Sequence, residues 1–156
     1  AQREATEHFG EARRLYEQLP LTERQPGQEL SIIIRLGKAQ FGGLGGAAPE
    51  TRETFDSAVE VALSEGDYAG LFVARYGEHV GQMISGETRQ ALVTAEEMLG
   101  LSEMISEVAW ARPTALRHLG SSNYVSGNLI RSREALLEAV AEKVGIPAQA
   151  DHPFRT

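Results

Sequence analysis

The glycine cluster Gly42-Gly43-Leu44-Gly45-Gly46 is the first place in this 156-residue chain to look for chemistry. Glycine-rich loops let backbone amides wrap a phosphate, but a phosphate loop also needs Gly-Lys-Ser/Thr opening a helix. Ala47-Ala48-Pro49 follows here instead, so the cluster reads as a connection between helices. The four histidines, His8, His79, His118 and His152, are the next candidates. None lies three to five residues from another, the spacing that would place two imidazoles on one metal. The acids Glu96-Glu97, Glu11, Glu17, Glu138 and Glu142 sit at spacings of solvated helix faces with arginine nearby. With no cysteine, thiolate chemistry and disulfides are excluded. No catalytic residue, metal ligand or cofactor site can be nominated, and the chain reads as a non-enzyme.

Composition narrows the class further. An apolar fraction of 42% and a charged fraction of 24% describe an ordinary folded chain. The net charge of −7, with its fifteen Lys and Arg scattered among acids, argues against nucleic acid. No apolar run approaches the length of a bilayer, and Ser31-Ile32-Ile33-Ile34 is cut by Arg35 and Lys38. The N-terminus lacks the layout of a secretory signal, and the absence of cysteine suits the cytoplasm.

The elements that would position any site are helices. Apolar residues recur at three and four, never at two. Phe9, Ala12, Leu15, Tyr16 and Leu19 mark one face; Leu30, Ile33, Ile34, Gly37, Phe41 and Leu44 mark a second. Phe55 to Leu63, Leu71 to Ile84, and Ala91 to Leu99 mark three more. Met104 to Val125 carries a sixth, and Leu129 to Val144 a seventh. Thr22, Ser102 and Ala48-Pro49 are expected starts, while Gly66, Gly86, Gly100, Gly127 and Gly145 are expected ends or turns. Pro113 should kink or break the sixth stretch near Arg112, and Trp110 beside it is expected in the core. The fold class is all-α, about seven helices in a single domain over residues 1–150, with a tail at 151–156.

A repeat runs through these helices. Gly86, Ala91, Ala95 and Met98 have the same offsets as Gly127, Ser132, Leu136 and Ala139, 41 residues later. Ala5, Phe9 and Ala12, and more weakly Thr54, Ala58 and Val61, reproduce the last three. A small residue admits a neighbouring helix and a larger one fills the groove a turn later, so such units stack. These spacings resemble the tetratricopeptide repeat: Leu119-Gly120, Tyr124, Gly127, Ser132, Leu136 and Ala139 match its pattern, and Leu36-Gly37 its earlier Leu-Gly. Glu78-His79 depart from it, placing a large residue where the pattern wants a small one.

The resemblance implies antiparallel helix pairs stacked as a right-handed superhelix, a solenoid. A narrower likeness lies in Leu15-Tyr16-Glu17-Gln18-Leu19-Pro20, Gln28-Glu29-Leu30, Arg35-Leu36-Gly37 and Ala47-Ala48-Pro49-Glu50. These stretches look like the helical region of large bacterial signalling proteins that join such repeats to an ATPase and a cyclase or DNA-binding module. None of the motif residues of those activities is here. The chain opens inside a second-type helix, so it is expected to be a piece of a longer protein.

In tetratricopeptide stacks the first helix of each pair lines a concave groove. Counted from the Leu-Gly markers, the groove positions are Lys38, Phe41, Tyr76, Met83, Arg117, Ser121 and Tyr124. Aromatic rings with a few cations suit an extended peptide or an acidic terminus. The expected function is a non-catalytic, protein-interaction or signal-sensing scaffold of a bacterial regulator. Its partner would be a peptide, a protein or another module of the parent chain. Two alternatives stay open: a small-molecule-sensing effector domain, and a homo-oligomerisation module driven by exposed end-face residues such as Phe9 and Leu15.

Overall fold

The computed structural model describes residues 2–143 of the chain. Among them are seven α-helices and no strand: α1 (Gln2–Glu17), α2 (Gln28–Leu44), α3 (Pro49–Glu65), α4 (Tyr68–Ile84), α5 (Thr88–Met104), α6 (Ala111–Val125) and α7 (Leu129–Lys143). The all-helical reading therefore holds. A short 3-10 turn, Leu21–Glu23, lies between α1 and α2. The described residues form two compact units, divided after Gly81, inside α4. Within the first unit α2 packs on α1 and α3; within the second α6 packs on α5 and α7.

Three glycines set the tight turns, by one mechanism. Gly66, Gly86 and Gly127 all have positive φ, at 69°, 77° and 80°. At each, the glycine amide reaches back three residues and the next amide reaches back five: Gly66 to Leu63 and Asp67 to Ala62, Gly86 to Met83 and Glu87 to Gln82, Gly127 to Tyr124 and Asn128 to Asn123. This closes the orphan carbonyls of the outgoing helix in a left-handed cap that L side chains resist. The residue after the glycine then opens the next helix. The Asp67 carboxylate accepts the Gly70 amide at 2.8 Å, and the Asn128 side chain accepts the Arg131 amide at 3.4 Å. Two residues thus both end one helix and start another.

Other punctuation falls differently. Thr22 sits in the 3-10 turn, and α2 begins later, after Gly27 in a left-handed conformation. Ser102 lies inside α5, its hydroxyl donating to the Leu99 carbonyl at 2.7 Å, so it does not open a helix. Gly100 is also interior to α5, while Ala48-Pro49 does start α3. The glycine cluster belongs mostly to α2, which continues to Leu44 before Gly45 ends it at φ 91°. The sixth stretch breaks ahead of Pro113, because α5 ends at Met104 and α6 starts at Ala111. Pro113 falls in the first turn of α6, where no intrahelical partner for its missing amide is needed. Trp110 stands at the head of α6 and is only half-buried. Gly145 and the tail at 151–156 lie outside the described residues.

The core of the first unit is built on Phe55 of α3, 1% exposed. A Cβ placed on Gly37 of α2 would come 3.0 Å from its ring, and one on Gly77 of α4 would collide with it. Both helices therefore close on one ring across a bare glycine. The approach on α4 is made by Gly77, not at the His79 position expected from the repeat, and His79 is buried at 1% exposure. In the second unit Ala91, Ala95 and Met98, the repeat positions of α5, are all fully buried. Gly120 of α6 does for α7 what Gly37 does for α3, with its would-be Cβ 2.6 Å from Leu136. Close approach at these small residues multiplies dispersion contacts between the helices.

Candidate functional site

α6 carries the clearest surface stripe. Arg117, Ser121 and Tyr124 follow at four and three residues, so they share one side of the helix. The opposite side, with Ala111, Ala115, Leu116, His118 and Ser122, is buried, and that burial fixes which side faces outward. Arg117 is exposed, and its guanidinium lies 2.9 Å from His118 Nε2. A guanidinium only donates, so in this contact Nε2 is the acceptor. The contact holds the arginine at one guanidinium nitrogen and leaves the others open. Ser121 donates to the Arg117 carbonyl at 3.0 Å. Tyr124 is 65% exposed, an uncommon cost for an aromatic ring that packing could have covered.

Met83 also belongs to the second unit but turns inward. The Ser122 hydroxyl lies 3.8 Å from its sulfur and 3.4 Å from the Ala91 carbonyl. The Met83 sulfur thus meets the packing of α6 on α5, apart from the exposed stripe.

In the first unit, Lys38 and Phe41 are three residues apart on α2, and both are half-buried. Burial holds the Lys38 amine below the usual lysine range, and the charge of Arg35 adds to the effect. Tyr76 on α4 is half-buried as well. The seven expected positions thus divide as Lys38, Phe41 and Tyr76 in the first unit and Met83, Arg117, Ser121 and Tyr124 in the second.

Two charged clusters were not singled out by sequence. Arg112 at the head of α6 binds Glu142 and Glu138 of α7, each at 2.6 Å, with Glu103 at 3.6 Å. Two carboxylates one turn apart make a fork for one guanidinium, and the hydrogen bond it donates to Glu142, then that to Glu138, raises the arginine's affinity for its proton. The i,i+4 spacing of Glu138 and Glu142 was the available signal; the missing half was an arginine 26 and 30 residues away. The group is about a third exposed, so solvent screens it, and Arg112→Ala should cost only about 1 kcal/mol. Urea unfolding, with loss of α7 helicity at lower denaturant, checks this.

The second cluster joins Glu78 to Arg75 at 2.7 Å and to Asp56 of α3. Burial pushes the Glu78 carboxyl above the usual carboxylate range; Arg75 opposes this, while Asp56 adds to it. A carboxyl whose folded pKa is raised stabilises fully below its unfolded pKa, and this is lost as pH rises through the folded value. Glu78→Gln should therefore raise the melting temperature at pH 7 and leave it nearly unchanged at pH 4. Thermal unfolding at the two pH values measures this.

Among the described residues no group of three or more His, Asp or Glu is placed to hold a metal ion, and no helix is long and apolar enough to cross a membrane. Comparison with protein-family models, with curated proteins and with solved structures finds no match.

Proposed function

We propose that this chain is a non-catalytic binding scaffold built of tetratricopeptide-like helix pairs. Its first-type helices present side chains to an extended peptide or the acidic terminus of a protein. The observation that carries this reading is the Arg117–Ser121–Tyr124 stripe of α6, which combines an exposed ring with a cation on one helix side. An aromatic ring supplies contact area at small entropic cost, and a guanidinium fixes a carboxylate bidentately. Lys38, Phe41 and Tyr76 give the first unit the same mixture of cation and ring. The net charge of −7 opposes acidic peptides at long range, so in this reading their binding rests on the local cations Arg117 and Lys38.

The solenoid stacking, the cytoplasmic setting and the role inside a larger bacterial regulatory protein are parts of the same proposal. The repeat offsets support the first, the absence of cysteine the second, and the likeness at Leu15–Pro20 and Arg35–Gly37 the third. The test is direct binding. Fluorescent peptides with acidic and with amidated C-termini are titrated into the chain and followed by anisotropy. The acidic set should bind, and salt should weaken it. Equal affinity for the acidic and amidated sets contradicts the role given to the cations.

A further inference from the structure

Two buried polar atoms inside the first unit have no hydrogen-bond partner: Gln40 Oε1 of α2 and Thr51 Oγ1 of α3. Gln40 is 9% exposed and Thr51 is fully buried. An orphaned polar atom inside a protein is costly, and two such atoms on facing helices call for a common partner.

The packing fixes where they lie. Gly37 of α2 faces the ring of Phe55 of α3, which a Cβ on that glycine would approach to 3.0 Å. Gln40 follows Gly37 by three residues and Thr51 precedes Phe55 by four, so each lies one turn along the same side of its helix. The short connection makes α2 and α3 antiparallel, and both steps lead toward it. The two side chains therefore face each other one turn from the ring, yet they do not bond to each other. α4 closes the same region with bare backbone. Gly77 reaches the Phe55 ring, and a Cβ on Gly81, one turn on, would stand 2.8 Å from the Gly46 carbonyl oxygen. Neither glycine has a side chain to serve either orphaned atom.

We propose that Gln40 and Thr51 bind a single ordered water molecule, buried between α2 and α3, which donates to Gln40 Oε1 and accepts from the Thr51 hydroxyl. Water fits where other guests do not. A metal ion would sit between two neutral groups, and a buried charge needs a compensating one. Among the described residues no set of acids or histidines is placed to supply it. A larger guest is kept out because α4 approaches the hairpin at backbone distance. A buried water needs two or more polar partners, and these two side chains provide them. The water ties the end of α2 to the first turn of α3, where Gly45 and Gly46 have no side chains to do so.

The test joins a high-resolution crystal structure of the whole chain to a double-mutant cycle followed by urea unfolding. The crystal should show one water at hydrogen-bond distance, about 2.7–3.2 Å, from both Gln40 Oε1 and Thr51 Oγ1. Thr51→Val keeps the side-chain shape and removes the hydroxyl; it should raise the unfolding equilibrium constant about fivefold or more, and Gln40→Met should do the same. The double variant Q40M/T51V should return to within about threefold of the wild type, because an apolar pair leaves no orphan behind. A direct bond between Thr51 and Gln40, or a Thr51 hydroxyl bonded to the Ala47 carbonyl with no water present, overturns the proposal. So does a Thr51→Val chain more stable than the wild type, since that marks a hydroxyl with no partner at all. Strict additivity of the two substitutions overturns it as well. Should either variant fail to fold, the wild-type crystal structure decides alone.

Discussion

Replacing Phe55 by alanine should cost about 3–5 kcal/mol of stability, the largest effect of any single truncation in the chain. The reason lies in what meets the ring. Phe55 is 1% exposed and is approached by glycines on two different helices, Gly37 of α2 and Gly77 of α4. Truncation leaves a cavity walled on two sides by glycine backbone, which brings no side chain to refill it. The reverse change tests the same contact. Gly77→Ala puts a methyl group into the ring, and overpacking of this kind costs about 1–3 kcal/mol. Phe55→Leu should then be less harmful on the Gly77→Ala background than on the wild type, since the smaller side chain returns the space. A double-mutant cycle by urea unfolding measures that coupling, and strict additivity would show that ring and glycine do not share the site.

The second large effect concerns binding. Arg117→Glu with Tyr124→Ala should lower affinity for acidic peptides about thirtyfold or more, as expected when about 2 kcal/mol of hot-spot contact is lost. Stability should fall by no more than about 1–2 kcal/mol, because Tyr124 is 65% exposed and the main loss is the Arg117 contact to the buried His118. The separation of the two readouts matters. A variant that lost binding through partial unfolding would show it in the melting curve. Isothermal titration with the best peptide from the anisotropy screen, beside thermal unfolding of the same sample, keeps them apart.

Helix content was legible because three-and-four periodicity survives in almost every segment, and because Gly66, Gly86 and Gly127 mark left-handed turns that no other residue tolerates as well. Boundaries were less legible. Ser102 looked like a cap, yet a serine inside a helix can bond back to a carbonyl of the preceding turn, as its contact with Leu99 shows. Gly100 looked like a stop, but a helix continues through glycine when flanking residues such as Met98 are buried. The shift of close approach to Gly77 had a signal, since Gly37 and Gly77 stand one 40-residue step apart. Matching the pattern at His79 hid it. The Arg112–Glu138–Glu142 fork was half visible, as a spacing whose partner only the fold supplies. The candidate site itself was legible as residue types. Its division between half-buried Lys38, Phe41 and Tyr76, inward-turned Met83, and the open α6 stripe was not, because exposure is set by packing that periodicity does not encode.

The most direct test of the central claim is selection from a random peptide display library on the immobilised chain, repeated on a variant replaced at Lys38, Tyr76, Arg117 and Tyr124. The binding-scaffold account predicts enrichment of extended peptides with acidic residues on the intact chain and none on the variant. No enrichment on the intact chain, or the same peptides on the four-residue variant, would contradict it.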